Sequence, residues 1–279
     1  MTIKITWLGT ASYILSLNDI NLLFDPFFSR NNEATPKLRT KKEEIKNISG
    51  VFISHGHFDH VCDAGWFAEN LDVPIYCSET AKHNIVNWAT GNIIENHIED
   101  LSERAKNNIK ICHFYDKIVI SKEITVEFIK SEHITFDAKT ILSRVFSWQF
   151  LKQAKSILPY GKGFPMGDVF GFCIYFNDFK IISFGSLWHK YTEELQKFQP
   201  CDIFLVPYAG NSEKHLAKKT GKMAEILKPK IIIPHHWDNF FPPISRTENL
   251  EPLLKLMSKK LPNIEILIPK WEEEMIINI

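Results

Sequence analysis

Residues 54–60 read Ser-His-Gly-His-Phe-Asp-His, directly after the apolar run Val51-Phe52-Ile53. A short apolar run of that kind reads as a buried strand, so the segment behind it carries three imidazoles and a carboxylate to one end of a sheet. In an extended stretch His55 and His57, two residues apart, project to the same side. The turn that follows swings Asp59 and His60 toward a neighbouring point, so one short loop can feed two ligand positions. Neutral imidazole binds zinc at about 2.0–2.1 Å, and a carboxylate completes such a site while lowering its charge. Polar loop residues satisfied by hydrogen bonds are the ordinary alternative. Four ligand residues packed into six positions after a buried strand point instead to a metal centre.

Around this loop, short strand-like runs alternate with helical patterns. The segments IKITW, SYILSL and INLLFDP form a hairpin-like opening around the turn residues Asn18 and Asp19. Beyond the histidine loop the pattern predicts a helix near Asp63–Asn70, the strand VPIYCS, and a helix over Glu79–Ala89. Three more strands follow in IKICHF, KIVIS and ITVEFIKSEH. From 136 to 165 the texture changes to helical spacing (Ile141, Val145, Trp148, Leu151, Leu158) and then to the broken stretch PYGKGFPMG, which reads as a helical insertion. Phe136, Phe146, Trp148, Phe150 and Phe164 crowd it, so it is either an apolar lid over the cleft or core. The second half predicts a hairpin of VFGFCIYF and KIISFGS, the helix YTEELQKF, and the strand CDIFLVPYAG. A helix at Lys214–Leu227, the strand KPKIIIPHHW, a helix near Leu250–Lys259 and a final strand IEILIP complete it. No repeat, low-complexity tract or proline-rich linker divides the chain, so residues 1–279 read as one domain with the insertion at about 136–165. Two strand-rich halves, each flanked by helices, imply an α+β sandwich of sheets packed face to face.

Charge limits the partners. Lysine plus arginine and aspartate plus glutamate each number 33, leaving no net charge to draw the protein onto nucleic acid or an anionic membrane. The charged stretch TPKLRTKKEEIK has interleaved acids and reads as a solvated face. The five cysteines are scattered without a Cys-x-x-Cys pair, which suits a reducing compartment. With no signal-like or membrane-spanning run, a cytoplasmic location is expected. Nothing in the sequence specifies an oligomeric state.

The run HGHFDH resembles the H-x-H-x-D-H signature of the metallo-β-lactamase superfamily of hydrolases. That resemblance covers nearly the whole chain and implies a four-layer αββα sandwich, two mixed β-sheets face to face with helices outside. The stretches ITWLGTASYIL, LLFDP, CDIFLVPYAG and KPKIIIPHHW look most like the branch containing ascorbate-6-phosphate lactonases and phospholipase-D-type N-acyl-phosphatidylethanolamine hydrolases. The resemblance implies metal ligands at His55, His57, Asp59 and His60, joined by His133 at the end of ITVEFIKSEH. The family's Pro-x-His spacing adds His236 and leaves His235 either supporting a ligand from behind or facing substrate. Asp25 fits an aspartate that orients a ligand imidazole, or a simple strand-end cap. His83, His97, His113 and His215 have no ligand-like spacing.

One position departs from the pattern. After a strand such as KIISFG the family places an aspartate that bridges two metals, but this chain has Gly185-Ser186. Without that carboxylate two nearby dications are harder to hold. Ser186, or His189 three residues on, is the candidate substitute, and one or two zinc ions are expected, with manganese or iron as alternatives. The implied chemistry is hydrolysis: bound zinc lowers the pKa of its water to about 7, giving a hydroxide nucleophile, and polarises the attacked group. Asp59 is expected to orient that water or take its proton, and His235, or alternatively Tyr208, to donate to the developing oxyanion. The expected substrate is a small-molecule or lipid-like ester, lactone, amide or phosphodiester. An RNA-processing nuclease of the same superfamily and a non-catalytic metal-binding or regulatory protein are the alternatives; zero net charge argues against the nuclease.

Overall fold

The computed structural model describes residues 2–91, 100–135, 160–187 and 192–278. The strands are β1 (Thr2–Gly9), β2 (Ser12–Leu17), β3 (Ile20–Phe24), β4 (Ile48–Phe52), β5 (Ile75–Cys77), β6 (Ile109–Ile111), β7 (Lys117–Val119), β8 (Ile124–Ser131), β9 (Val169–Phe176), β10 (Phe179–Phe184), β11 (Ile203–Pro207), β12 (Ile231–His235), β13 (Glu265–Ile266) and β14 (Glu274–Asn278). They form two seven-stranded sheets, ordered β14-β1-β2-β3-β4-β5-β6 and β13-β12-β11-β10-β9-β8-β7. Both are mixed: β3 to β6 run parallel, as do β10 to β13, and the remaining pairs are antiparallel.

Side-chain alternation builds the layers. In β1, Ile3, Ile5 and Trp7 point into the cluster between the sheets, where they meet Phe128, Phe172, Ile203 and Ile233 of the second sheet. The carboxyl end of β4 is buried on both faces, Phe52 inward and Val51 outward, as the apolar run Val51-Phe52-Ile53 predicts. Outside the first sheet pack α1 (Phe58–Val61), α2 (Ala64–Asn70), α3 (Glu79–Ala89) and α4 (Glu103–Asn108). The second sheet carries α5 (Thr192–Leu195), α6 (Glu213–Leu227) and α7 (Glu251–Lys260). The buried stripe of α6, Leu216, Thr220, Met223 and Leu227, has the three-to-four spacing that seats one helix face on a core. These layers are the expected α+β sandwich, with helices outside two facing sheets.

Three details differ from the sequence reading. The sheet boundary falls between β6 and β7, so two strands of the first half belong to the second sheet. The chain then returns to the first sheet with β14, which pairs with β1 and was not anticipated. Only two residues of IEILIP form a ladder, against β12. Residues 136–159 of the expected insertion lie outside the described residues. Of its aromatic residues, Phe164 is buried beside Trp88, at 5.6 Å between ring centroids, and belongs to the helix-side core.

Candidate metal centre

The ligand-bearing loops all leave the sheets at one end. Asp25 follows β3, His55 follows β4, His133 follows β8, Ser186 follows β10 and His236 follows β12. In each sheet these strands run in one direction, so their carboxyl ends meet at a common edge. There Phe170 of β9 donates its amide to the carbonyl of Ser54, at 2.7 Å, and ties the two sheets together. Asp25 and His236 have left-handed backbones, φ 40° and 58°, which turn the chain sharply as it leaves each strand.

His57 closes the extended part of the motif as the residue before α1, and the first turn of that helix tucks Asp59 and His60 inside. The result is two groups, His55/His57/His133 and Asp59/His60/His236, each with its ligand atoms within 4.8 Å of one another. Finer distances test whether a metal fits. Two donors bound to one tetrahedral zinc at the usual bond length lie about 3.3 Å apart. His55 Nε2 and His57 Nδ1 are 3.1 Å apart. Asp59 Oδ2 is 3.5 Å from His60 Nε2 and 3.4 Å from His236 Nε2. Both donor sets fit a divalent ion.

Surrounding groups aim these donors. The Ser54 hydroxyl donates to Asp25 Oδ2 at 2.7 Å and stands 2.9 Å from His55 Nδ1, while His60 Nδ1 is 2.8 Å from the same Asp25 oxygen. One carboxylate therefore orients a ligand in each group, leaving both Nε2 atoms for metal. His133 donates Nδ1–H to the Ile134 carbonyl at 2.8 Å, which likewise frees its Nε2. Asn84, fully buried, clamps the motif's backbone by donating to the carbonyls of Gly56 and Pro165. A Cβ at Gly56 would sit 2.4 Å from the Pro165 carbonyl oxygen, so glycine lets that strand end pack close.

Burial pushes His133 down to about 3, with His57 adding to the effect. Burial and the neighbouring imidazoles likewise hold His55 well below its ordinary value, and burial lowers His57. The three-histidine group is thus uncharged at neutral pH, as ligands must be. In the second group burial works against ionisation, but His60 and His236 outweigh it and hold Asp59 below the usual carboxylate range. Burial would also lower His60, yet Asp59 and Asp25 raise it.

A cavity of about 270 Å³ opens onto both groups. His57, Asp59, His60, His133, Ser186 and His236 line its floor, and Phe58, Tyr160, Phe240, Phe241 and Ile244 form an apolar wall. Arg246 stands at this cavity, its guanidinium held by the buried Glu248 carboxylate at 2.9 Å. The sequence reading overlooked the aromatic wall, although the Asn-Phe-Phe at 239–241, just past His236, signals it.

Residues 5–134 match the family model described as the metallo-beta-lactamase superfamily. That stretch of the chain is thus similar to the superfamily. Over 273 residues it is 24% identical to a UPF0173 metal-dependent hydrolase of Pyrococcus abyssi, covering 98% of this chain and 100% of that protein. It is 25% identical over 239 residues to a UPF0173 metal-dependent hydrolase of Koribacter versatilis, covering 85% of each. In three dimensions it resembles a metallo hydrolase from Ignicoccus hospitalis, with a TM-score of 0.65, 14% identity and full coverage of both chains. An isothiocyanate hydrolase from Delia radicum gut bacteria has a TM-score of 0.61 at 18% identity, covering 98% of each chain. At those identities the structural likenesses speak for the fold.

The six candidate ligands converge, and two expected auxiliaries do not. His235, the last residue of β12, does not line the cavity, whereas His236, just past the strand with its left-handed backbone, does. With His236 on the floor, the His235 ring is buried toward Tyr13, 5.7 Å between centroids. Tyr208 is buried as well and donates its hydroxyl to the Glu213 carbonyl at 2.8 Å. Neither residue reaches an oxyanion in the cavity. Asp25 takes the orienting role in preference to a strand cap. His97 and His189 lie outside the described residues. Among the described residues, no helix is long and apolar enough to cross a membrane.

Proposed function

We propose that this metal-dependent hydrolase cleaves a compact, largely apolar ester, lactone or amide. The observation that carries the reading is the cavity: candidate ligands of both metal groups and the aromatic residues Phe58, Phe240 and Phe241 line the same space. About 270 Å³ lies at the small end of ligand pockets, which favours an aryl or short acyl compound over a two-chain lipid. Five imidazoles and one carboxylate form a donor set suited to zinc. A bound metal supplies Lewis-acid polarisation of the attacked group and activates water near neutral pH.

The protein does the rest. Asp59 stays ionised through the neutral range, so it orients the attacking water as a hydrogen-bond acceptor. The wall of Phe58, Phe240 and Phe241 holds the apolar body and excludes solvent from the reacting bond.

The test is a series of p-nitrophenyl esters from acetate to dodecanoate with zinc-loaded protein, alongside an aryl lactone, an N-acyl anilide, bis(p-nitrophenyl) phosphate and RNA. Each methylene buried is worth about 0.8 kcal/mol, so kcat/KM should rise about fourfold per carbon until the cavity is full and then fall. His57→Ala should abolish turnover. Preference for the phosphodiester or RNA, or rates indifferent to chain length, would overturn the substrate assignment.

A further inference from the structure

We propose that Ser186 is a positioning residue that makes this a one-metal centre: its hydroxyl holds the His133 loop instead of bridging, so one ion binds tightly and a second far more weakly. The inference rests on the metal-dependent reading above and is independent of the substrate.

Backbone placement comes first. Gly185 lies directly over the Asp25–Ser54 pair, where a Cβ would come within 2.0 Å of Ser54 Oγ and 2.7 Å of Asp25 Oδ2. The chain is therefore seated on the orienting network at 185, and residue 186 contributes to the cavity floor shared by His57 and His133 of one group and Asp59, His60 and His236 of the other. A side chain there is placed to serve both metal positions.

What stands there is a buried hydroxyl already engaged. Ser186 Oγ accepts from the Ile134 amide at 3.0 Å, and the carbonyl of Ile134 accepts from His133 Nδ1 at 2.8 Å. The hydroxyl thus holds the very residue whose carbonyl fixes the His133 tautomer. It brings no negative charge. Across both groups Asp59 is then the one carboxylate among the six ligands, facing four positive charges if two dications bind. Unscreened repulsion between ions so close makes the second binding step unfavourable relative to the first. Once either group is filled, the other loses affinity.

The experiment is a zinc titration of the metal-free protein against a chromogenic chelator, with stoichiometry checked by elemental analysis and the cobalt-substituted protein followed by its visible absorption. Wild type should take one tight equivalent, with the second weaker by about a hundredfold or more. Ser186→Asp should narrow that gap at least tenfold. Ser186→Ala should weaken binding at the three-histidine group about 10- to 100-fold, the range for lost orienting partners, and change its cobalt spectrum. Ser186→Thr, which keeps the hydroxyl, should restore both. Two equivalents of equal affinity in wild type would overturn the proposal, as would Ser186→Ala binding and absorbing like wild type. Wild type alone decides the first point should the aspartate variant not fold. Failure of wild type to bind any zinc or cobalt would instead overturn the metal-dependent reading itself.

Discussion

Gly185→Ala is the sharpest probe of how backbone packing sets the metal ligands. The added Cβ would meet Ser54 Oγ at 2.0 Å, Ser54 Cβ at 2.5 Å and Asp25 Oδ2 at 2.7 Å. None of these is the far end of a flexible side chain. Ser54 is fully buried, its amide and hydroxyl both donate to Asp25, and Asp25 is itself 2% exposed. Relief therefore requires moving either the strand end or the network. Overpacking a filled interior typically costs about 1–3 kcal/mol, and contacts this short against pinned atoms place the cost at about 3 kcal/mol or above. For a chain of this size that lowers Tm by about 6–10 °C. Displacing Ser54 and Asp25 also misaims His55 and His60, so zinc affinity should fall about 10- to 100-fold. Thermal unfolding of the metal-free protein measures the first effect, and chelator competition the second. Gly161→Ala is the control, because Gly161 lines the same cavity with nothing within 4 Å of an added Cβ. A Gly185→Ala protein that melts within 1 °C of wild type (about 0.3 kcal/mol) and binds zinc equally well would refute the reasoning.

Asp25→Ala should weaken zinc binding about 10- to 100-fold at both groups, since one carboxylate serves His60 directly and His55 through Ser54; loss confined to one group, read from the cobalt spectrum, would contradict that shared role. The metal-free protein should lose stability between pH 6.5 and 5. His133, lowered to about 3 when folded, binds its proton in the unfolded chain over that interval but not in the native one, a cost of about 2 kcal/mol at pH 5. His235, lowered by burial to about 3, and His55 and His57 act in the same direction, while His60, raised when folded, opposes them with stability that is present at low pH and lost as pH rises through its folded value. A urea midpoint that rises from pH 6.5 to 5 would contradict the balance of four against one. Phe240→Ala removes a wall residue 4.9 Å from the His236 ring and should move the preferred ester to longer chains by about two carbons, on the order of the volume removed; an unchanged optimum would place the substrate elsewhere.

Periodicity made most of the sandwich legible because most strands are buried on at least one face. The end of β4 reads as the apolar run Val51-Phe52-Ile53 since helices cover one side of it and the second sheet the other. Strand β14 escaped notice for the converse reason. It is an edge strand, with Ile277 buried while Ile276 is 55% exposed, and two glutamates precede it and a third opens it. Edge strands carry charge against unwanted pairing, which dilutes the alternation a reader depends on. Its pairing with β1 is set by contacts between the two ends of the chain, and no local pattern encodes those.

The site divides along the same line. His55, His57, Asp59 and His60 were legible because one turn places all four, so their spacing is itself the geometry. His133 and His236 needed the resemblance, since each is a lone histidine at a strand end whose approach to the motif is a product of sheet packing. His235 shows where spacing misleads: it closes β12 with its ring buried toward Tyr13, while the left-handed turn at His236 carries the next side chain to the cavity, and no sequence spacing announces that turn. Ser186 is the reverse case. The sequence marked the missing carboxylate, but only the 3.0 Å bond from the Ile134 amide shows that the hydroxyl there has other work. A position that the family resemblance expects to carry charge is, in this chain, part of the scaffold that aims His133, and the proposed metal stoichiometry follows from that exchange.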